Sequence, residues 1–316
     1  MAIFLCRALL AAALVQGTPA VPPQDSLASP RARVARDPND ARAWAALGRL
    51  YVGLLTADRT GEARRDTLWT RAVLDSADRV LARAAASLGP VGVSPEGDSA
   101  RVFRVQVWSE RLLLAWELGG IARGADAWGP VPADLRLSPV LEELGENLLR
   151  ACPAHGVLLT ATDADSYAAW YMRYVRGLRT DILVVPLTVW RSDAAFRVRA
   201  AGDLKLGPKG RGDGWLAALV ERRPACATMA FERPPEGAGR HWATRPLVWV
   251  AARDMGDDRV PPRDFVFAAL KMALDDHDPW ARNAGVLYAR AARATPALCE
   301  GLTTFKIARE VSGCRG

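Results

Sequence analysis

The segment from residue 156 to 190 constrains the fold more than any other part of the chain. Two short apolar runs, Gly156–Thr160 and Ile182–Pro186, flank the stretch Ser166–Arg176, whose aromatic residues recur at helical spacing. A strand, a helix and a second strand in this order form a unit with parallel strands, because the helix provides the crossover. The sequence therefore predicts an α/β domain over residues 138–316, with a mainly parallel sheet flanked by helices.

Further periodic segments extend this α/β pattern. Strands are predicted at Ala225–Phe231 and Leu247–Ala251, and helices at Asp213–Glu221 and Asp264–Asp275. Another helix is predicted to begin at Pro279, with Asp278 as its N-cap.

The N-terminal half is predicted to be helical. Trp44, Leu47, Gly48 and Tyr51 follow the order W-x-x-L-G-x-x-Y, which resembles the first helix of a tetratricopeptide repeat. Two more amphipathic helices are predicted over about 64–88 and 99–118. Residues 31–118 thus form a tetratricopeptide-like region that we expect to contact a protein partner, and the Gly- and Pro-rich residues 119–137 form a predicted linker.

The first 20 residues have the pattern of a secretory signal peptide, with a short apolar run and small residues before a cleavage site at Ala20. Residues 21–30 then form a leader to the fold. We expect a periplasmic or secreted bacterial protein with no stable membrane span after signal removal, since no later apolar stretch is long enough.

Four cysteines remain after the signal peptide: Cys152, Cys226, Cys299 and Cys314. In an exported chain they permit two disulfides in three pairings. The pair Cys299–Cys314 closes the shortest plausible loop and leaves Cys152–Cys226, and the alternative is four buried free thiols. Their spacing is not that of a zinc site, and no metal or other cofactor is predicted.

The net charge of +7 does not indicate nucleic-acid binding. Lysine occurs at only four positions, and the many arginines are scattered and often have acidic neighbours. A nucleic-acid-binding protein would carry clustered basic residues on a recognisable module, so this class is not predicted.

The strongest candidate site is the acidic loop at Asp163 and Asp165, which follows the first strand directly. Open α/β sheets place ligands at this edge, and carboxylates bind sugar hydroxyls, ammonium groups or hard cations. In the alternative, both acids and Ser166 only cap the following helix and stabilise the loop.

The aromatic residues of the helix extend the candidate site. Tyr167, Trp170, Tyr171 and Tyr174 are spaced to share one helical face. This face either packs on the sheet, or Tyr167 and Trp170 form a stacking platform for a sugar or an aromatic peptide side chain.

Two charged residues, Arg179 and Asp181, precede the second strand. They are expected to pair with each other or with the acidic loop. If Arg179 reached Asp163 or Asp165, the loop would be a structural ion network rather than an open site.

The same segment resembles a motif in the soluble domain of bacterial membrane glycosyltransferases related to protein O-mannosyltransferases. That motif has the form G-D-N-D-[ST]-[YF]-P-L-W-Y, then five variable residues and G-x-R-x-D-V-x-V-x-N. The matching positions here are Asp163, Asp165, Ser166, Tyr167, Trp170, Tyr171, Gly177, Arg179, Asp181 and Val184.

Several motif positions differ, since Thr162, Ala164, Ala168-Ala169 and Pro186 replace Gly, Asn, Pro-Leu and the final Asn. The membrane-embedded half, which carries the transferase chemistry of that family, has no counterpart in this sequence. The resemblance therefore implies a fold and an exported location rather than a reaction.

These observations predict an exported, non-catalytic binding or scaffolding protein linked to cell-envelope glycan or glycoprotein biogenesis. The alternative is a glycan-acting enzyme that uses Asp163 and Asp165 at the end of the first strand. A third possibility is a helical adaptor whose α/β half is inert. An enzyme requires an exposed carboxylate in a pocket, whereas a scaffold requires both acids to be satisfied by protein groups.

Overall fold

The computed structural model describes residues 27–60, 65–121, 127, 129–254, 261, 264–311 and 313–314. The predicted signal peptide and most of the leader lie outside these residues. The helices are α1 Ala28–Arg36, α2 Ala41–Thr60, α3 Thr67–Ser87, α4 Pro95–Gly119, α5 Pro139–Ala151, α6 Asp163–Trp170, α7 Leu187–Ser192, α8 Ala194–Asp203, α9 Trp215–Val220, α10 Ala268–Asp275, α11 Pro279–Ala294 and α12 Leu298–Thr304. The strands are β1 Val157–Thr160, β2 Leu183–Pro186, β3 Ala225–Thr228, β4 Ala243–Arg245 and β5 Val248–Ala251.

The five strands form one mixed sheet in the order β2-β1-β3-β5-β4. Strand β1 is parallel to both β2 and β3, with Val157 opposite Leu183 and Ala225. Strand β5 is antiparallel to both β3 and β4. The predicted α/β domain is confirmed, but the sheet is only partly parallel.

The antiparallel half arises from a short connection. Strand β4 was not predicted, and only Pro246 and Leu247 separate it from β5. A two-residue link can join only antiparallel strands, because a parallel pair requires a long crossover. Leu247 adopts a positive φ of 67° in this tight turn.

Both faces of the sheet are buried. Alternate residues of β1 point to opposite faces, so Leu158 packs in one hydrophobic cluster and Val157 and Leu159 in another. Helix α4 contributes to both of these clusters and also, through Leu114, to the cluster of the N-terminal helices. Helix α4 therefore packs against both the helical region and the α/β part.

The N-terminal helices pack closely around one glycine. A Cβ atom added to Gly48 of α2 would lie 2.3 Å from the Leu81 side chain of α3, so a larger residue would require that side chain to shift. Asp40 accepts the backbone N–H of Ala43 and caps α2, while Asp66 caps α3. The predicted helical arrangement is present, with α3 shorter and α4 longer than expected.

The predicted linker carries part of the core in its described residues. Leu135 and Leu137 are buried, and the Tyr171 hydroxyl donates a hydrogen bond to the Leu135 carbonyl. Helix α5 then begins at Pro139. None of the helices in the described ranges has the length and apolarity that crossing a bilayer requires.

The C-terminal helices follow the sequence pattern closely. Helix α11 begins at Pro279 with the Asp278 carboxylate accepting the Trp280 N–H, as predicted. Helix α10 begins at Ala268, four residues later than expected, and α12 was not predicted.

Both disulfides of the favoured pairing form. Cys152–Cys226 joins the turn before β1 to strand β3, and Cys299–Cys314 ties the C-terminal segment to α12. Of the two alternatives left open by the sequence, disulfides and free thiols, the structure selects the disulfides.

A buried cluster of ions joins the helical region to the α/β part. Arg59 of α2, 7% exposed at its side chain, pairs with Glu110 of α4 and with Asp193, which precedes α8. Arg65 also pairs with Asp193, at 2.7 Å, and with Glu117 of α4. Because Asp193 also caps α8 through the Phe196 N–H, one carboxylate joins three elements.

We expect Asp193→Asn to destabilise the protein by about 3 kcal/mol, because two arginines would lose their shared counter-charge in a buried site. Asparagine keeps an oxygen for the Phe196 N–H, so the loss reports the ion pairs rather than the cap. Chemical denaturation measures this difference.

The matched control is Asp275→Asn, which breaks an exposed pair with Lys271. We expect it to change the stability by less than about 1 kcal/mol. Equal effects of the two substitutions would contradict a structural role for the buried cluster.

Candidate functional site

A cavity of about 360 Å³ lies at the carboxyl end of β1, beside the loop that leads into α6. It lies between this loop, helix α11, Leu144 of α5 and the segment after β3. The described lining residues are Leu144, Thr162, Asp163, Ala164, Asp165, Ala230, Trp280, Asn283, Val286 and Leu287. The predicted ligand edge of the sheet is thus recessed and bordered by the acidic loop.

Asp165 is fully buried behind this cavity and accepts four hydrogen bonds. Its Oδ1 accepts the Thr162 N–H at 2.7 Å and the Thr162 hydroxyl at 2.6 Å. Its Oδ2 accepts the Ala161 N–H at 2.9 Å and the hydroxyl of Thr228 on β3. Burial raises the pKa of Asp165, and these hydrogen bonds oppose that rise. The carboxyl group is therefore occupied by protein donors.

Because of these hydrogen bonds, helix α6 begins earlier in the chain than predicted. Helix α6 begins at Asp163 rather than at the predicted Ser166, with Thr162 at the N-cap and Asp165 at the third helical position. The Ser166 hydroxyl lies 2.7 Å from the Thr160 hydroxyl at the end of β1. The first turn of α6 is thus bonded to the ends of both β1 and β3.

Asp163 differs from Asp165 in that it is exposed at the edge of the cavity. Within the described part of the chain its carboxylate has no basic partner, and its interacting neighbour is the Tyr167 hydroxyl. Partial desolvation by the surrounding protein raises the pKa of Asp163, and Tyr167 opposes the rise. Asp163 is the carboxylate that a ligand can reach.

The aromatic residues pack into the core instead of forming a surface. Tyr167, Trp170 and Tyr171 are 9%, 5% and 0% exposed, and none of them lines the cavity. Trp170 packs on Tyr174 with ring centroids 5.7 Å apart. Of the two interpretations of this face, the structure supports packing and leaves Tyr167 and Trp170 without an open face for stacking.

The end of the aromatic helix departs from the α-helical spacing. Residues Tyr171–Val175 form a π-helical turn, and Gly177 then ends the segment with a positive φ of 70°. A left-handed glycine is a common end of a helix. The π turn shifts the register after Trp170, a change that periodicity alone does not reveal.

Arg179 and Asp181 lie at the other end of β1, away from the cavity. They pair with each other at 3.0 Å, and Arg179 also donates to the carbonyls of Leu149 and Cys152. Asp181 accepts the His155 N–H as well, and its pKa is lowered, chiefly by Arg179. Arg179 therefore does not neutralise the acidic loop, and these two residues stabilise the turns that precede β1 and β2.

Sequence reasoning did not place Trp280 and Asn283 at the site. Both project from α11, which is about 115 residues beyond the acidic loop in the chain, and they line the cavity with Leu287. Their spacing at i, i+3 and i+7 puts them on one helical face, which is the only signal the sequence contains. The sequence does not show that this face covers the end of β1, because the contact forms only in the tertiary structure.

Arg290 of α11 fixes another border of the cavity. Its guanidinium donates to the carbonyls of Met229, Ala230 and Phe231, at 2.8, 2.6 and 2.6 Å. These carbonyls follow β3, and Ala230 lines the cavity. One half-buried cation thus pairs with three carbonyls of this turn.

Among the described residues, no group of three or more His, Cys, Asp or Glu side chains is arranged to hold a metal ion. Within this part of the chain the side-chain oxygens that border the cavity belong to Asp163, Thr162, Asn283 and the already occupied Asp165.

Comparison with known families gives one match, to the TMEM260-associated domain 2, over residues 141–194. The matched segment contains β1, the acidic loop, α6 and β2, together with most of α5. It includes Asp163, Asp165, Arg179 and Asp181. No curated protein and no solved structure matches the chain.

We expect Asp165→Asn to destabilise the protein by about 2–3 kcal/mol, because an amide NH₂ would face two hydrogen-bond donors in a buried site. The matched substitution Asp163→Asn should change the stability by less than about 0.5 kcal/mol, since that carboxylate is exposed and lacks an ionic partner. Urea denaturation of the two variants tests whether Asp165 is structural and Asp163 is not. A larger loss of stability in Asp163→Asn than in Asp165→Asn would refute this assignment.

Proposed function

We propose that this protein is an exported, non-catalytic glycan-binding protein that acts in the biogenesis of cell-envelope glycans or glycoproteins. The observation that carries this proposal is the cavity beside β1, in which one carboxylate, Asp163, is available and the other, Asp165, is occupied. The first supports a ligand, and the second argues against a reaction that needs two carboxylates.

The cavity lining has the composition of a sugar site. Its polar groups include the Asp163 carboxylate and the Thr162 hydroxyl, which can accept hydrogen bonds from sugar hydroxyls, and the Asn283 amide, which can both donate and accept. Trp280 supplies an aromatic surface, and Leu144, Val286 and Leu287 supply apolar contacts. The volume lies in the range of small-molecule pockets, about 300–1,000 Å³.

The hydrogen bonds of Asp165 favour binding over catalysis. Most glycosidases use two carboxyl groups on either side of the scissile bond, one as acid and one as base or nucleophile. Asp165 is buried and accepts four hydrogen bonds from the protein, so it is not free to meet a substrate. Asp163 alone provides half of such a pair.

A second candidate, a glycan-acting enzyme, is favoured by one observation. The pKa of Asp163 is raised by its partly desolvated position, and a raised pKa is characteristic of carboxyl groups that act as general acids. This candidate requires product formation that depends on Asp163. Binding without product formation distinguishes the first candidate from it.

Two observations support an extracytoplasmic location. The disulfides Cys152–Cys226 and Cys299–Cys314 are of a kind that persists in oxidising compartments. The resemblance to the soluble domain of membrane glycosyltransferases covers the acidic loop, and the family match covers the same segment. We further propose that the tetratricopeptide-like region binds a protein partner.

The binding test uses oligosaccharides prepared from bacterial cell-envelope glycans, with calorimetry and thermal unfolding as the measurements. We expect binding by the wild type, and at least about tenfold weaker binding by Asp163→Asn and by Trp280→Ala. Glu236→Gln is the control, because its side chain is 85% exposed and outside the cavity.

The same incubations are analysed for released reducing ends. No release by the wild type is expected, whereas release that disappears in Asp163→Asn would establish the enzyme instead. No binding of any oligosaccharide would refute the proposed function.

Export is tested by expressing the full-length chain in a bacterium and measuring the mass of the mature protein. We expect cleavage after Ala20, which also removes Cys6. The four remaining cysteines should resist alkylation until a reductant is added. A full-length cytoplasmic product with four reactive thiols would contradict the proposed location.

A further inference from the structure

Several buried or partly buried acidic groups of this protein are paired with arginine. The chain has 42 basic residues against 35 acidic ones, so counter-charges are abundant. Asp78 pairs with Arg104, and Glu110 and Asp193 pair with Arg59, all with limited solvent exposure. An acid that borders a cavity without such a partner is available to a cationic ligand.

Asp163 is such an acid. In the described parts of the chain it makes no ion pair, and its neighbours in the cavity wall include Asp165, Asn283 and Trp280 but no lysine or arginine. Neither Arg179 nor Arg290 pairs with Asp163. Arg179 is bound to Asp181, and Arg290 is bound to three carbonyls.

We propose that the ligand of this cavity is an amino sugar whose protonated amine pairs with Asp163. This inference rests on the proposed function, since it specifies the ligand class of the same cavity. An ammonium group donates charge-assisted hydrogen bonds to the carboxylate, which supplies the counter-charge that the protein lacks there. The Trp280 ring borders the same space, and an aromatic face also attracts a cation.

The cavity lining disfavours sugars that are negatively charged or neutral. Uronic acids and phosphorylated sugars would meet an uncompensated carboxylate and no basic group among the described lining residues. A neutral sugar would make ordinary hydrogen bonds to Asp163 but would leave its charge unpaired. The local charge thus ranks amino sugars above neutral sugars and neutral sugars above acidic ones.

The test uses three oligosaccharide series that share a β-1,4-linked backbone and differ at C2. Chitosan oligomers carry an amine there, chitin oligomers an acetamide and cello-oligomers a hydroxyl. Calorimetry at slightly acidic pH, where the amine is protonated, compares the three series of equal length on the full mature protein.

We expect the chitosan series to bind at least about tenfold more tightly than the other two, because only its amine forms a charge-assisted pair. The preference should disappear in Asp163→Asn, remain in Glu236→Gln, and decrease with added salt. Non-specific attraction cannot produce it, since the protein itself carries a charge of +7.

The possible failures of the two proposals are distinguishable. Binding of all three series with equal affinity, or tighter binding of the acetylated or hydroxylated series, would overturn the amino-sugar inference and leave glycan binding intact. A chitosan preference that persists in Asp163→Asn would also overturn it. No binding of any series or of the envelope oligosaccharides would overturn both.

Discussion

The carboxyl group of Asp165 is the interaction on which the candidate site depends. It lies in a fully buried position and accepts hydrogen bonds from two backbone N–H groups and two threonine hydroxyls. One of those hydroxyls belongs to Thr228 on β3, so the turn from β1 into α6 is fastened to the neighbouring strand. Such a group is costly to bury unless every acceptor is satisfied, which here fixes the geometry of the turn.

This arrangement gives different roles to two acids that are two residues apart. Asp165 points into the protein and organises the loop, and this leaves Asp163 at the first helical position, facing the cavity. The helix terminus favours negative charge at both positions. The surroundings then decide that one acid is structural and that the other is available to a ligand.

The helical region and the α/β part are joined by packing and by charge. Helix α4 supplies residues to all three hydrophobic clusters, and Asp193 pairs with two arginines that precede α3. Glu110, which pairs with Arg59, also influences the pKa of Tyr167, the neighbour of Asp163. A partner on the helices and a ligand in the cavity would therefore bind to one continuous body.

The sequence by itself determined the local elements. Apolar runs, helical spacing and capping residues located β1, β2, α2 and α11, and cysteine spacing indicated the two disulfides as one of its alternatives. It also located Asp163 and Asp165, because a strand followed at once by acids and a helix is a local pattern. Strand β4 escaped detection, since three residues with mixed burial carry little periodic signal.

Only the tertiary structure decided which acid is free, what covers it and where Arg179 goes. Asp165 is occupied because Thr228, far along the chain, reaches it across the sheet, and Trp280 and Asn283 border the cavity because α11 packs over the end of β1. Tyr167 and Trp170 are buried because their side chains pack into a hydrophobic cluster built from several segments of the chain. These outcomes depend on contacts between segments distant in sequence, which local periodicity does not encode.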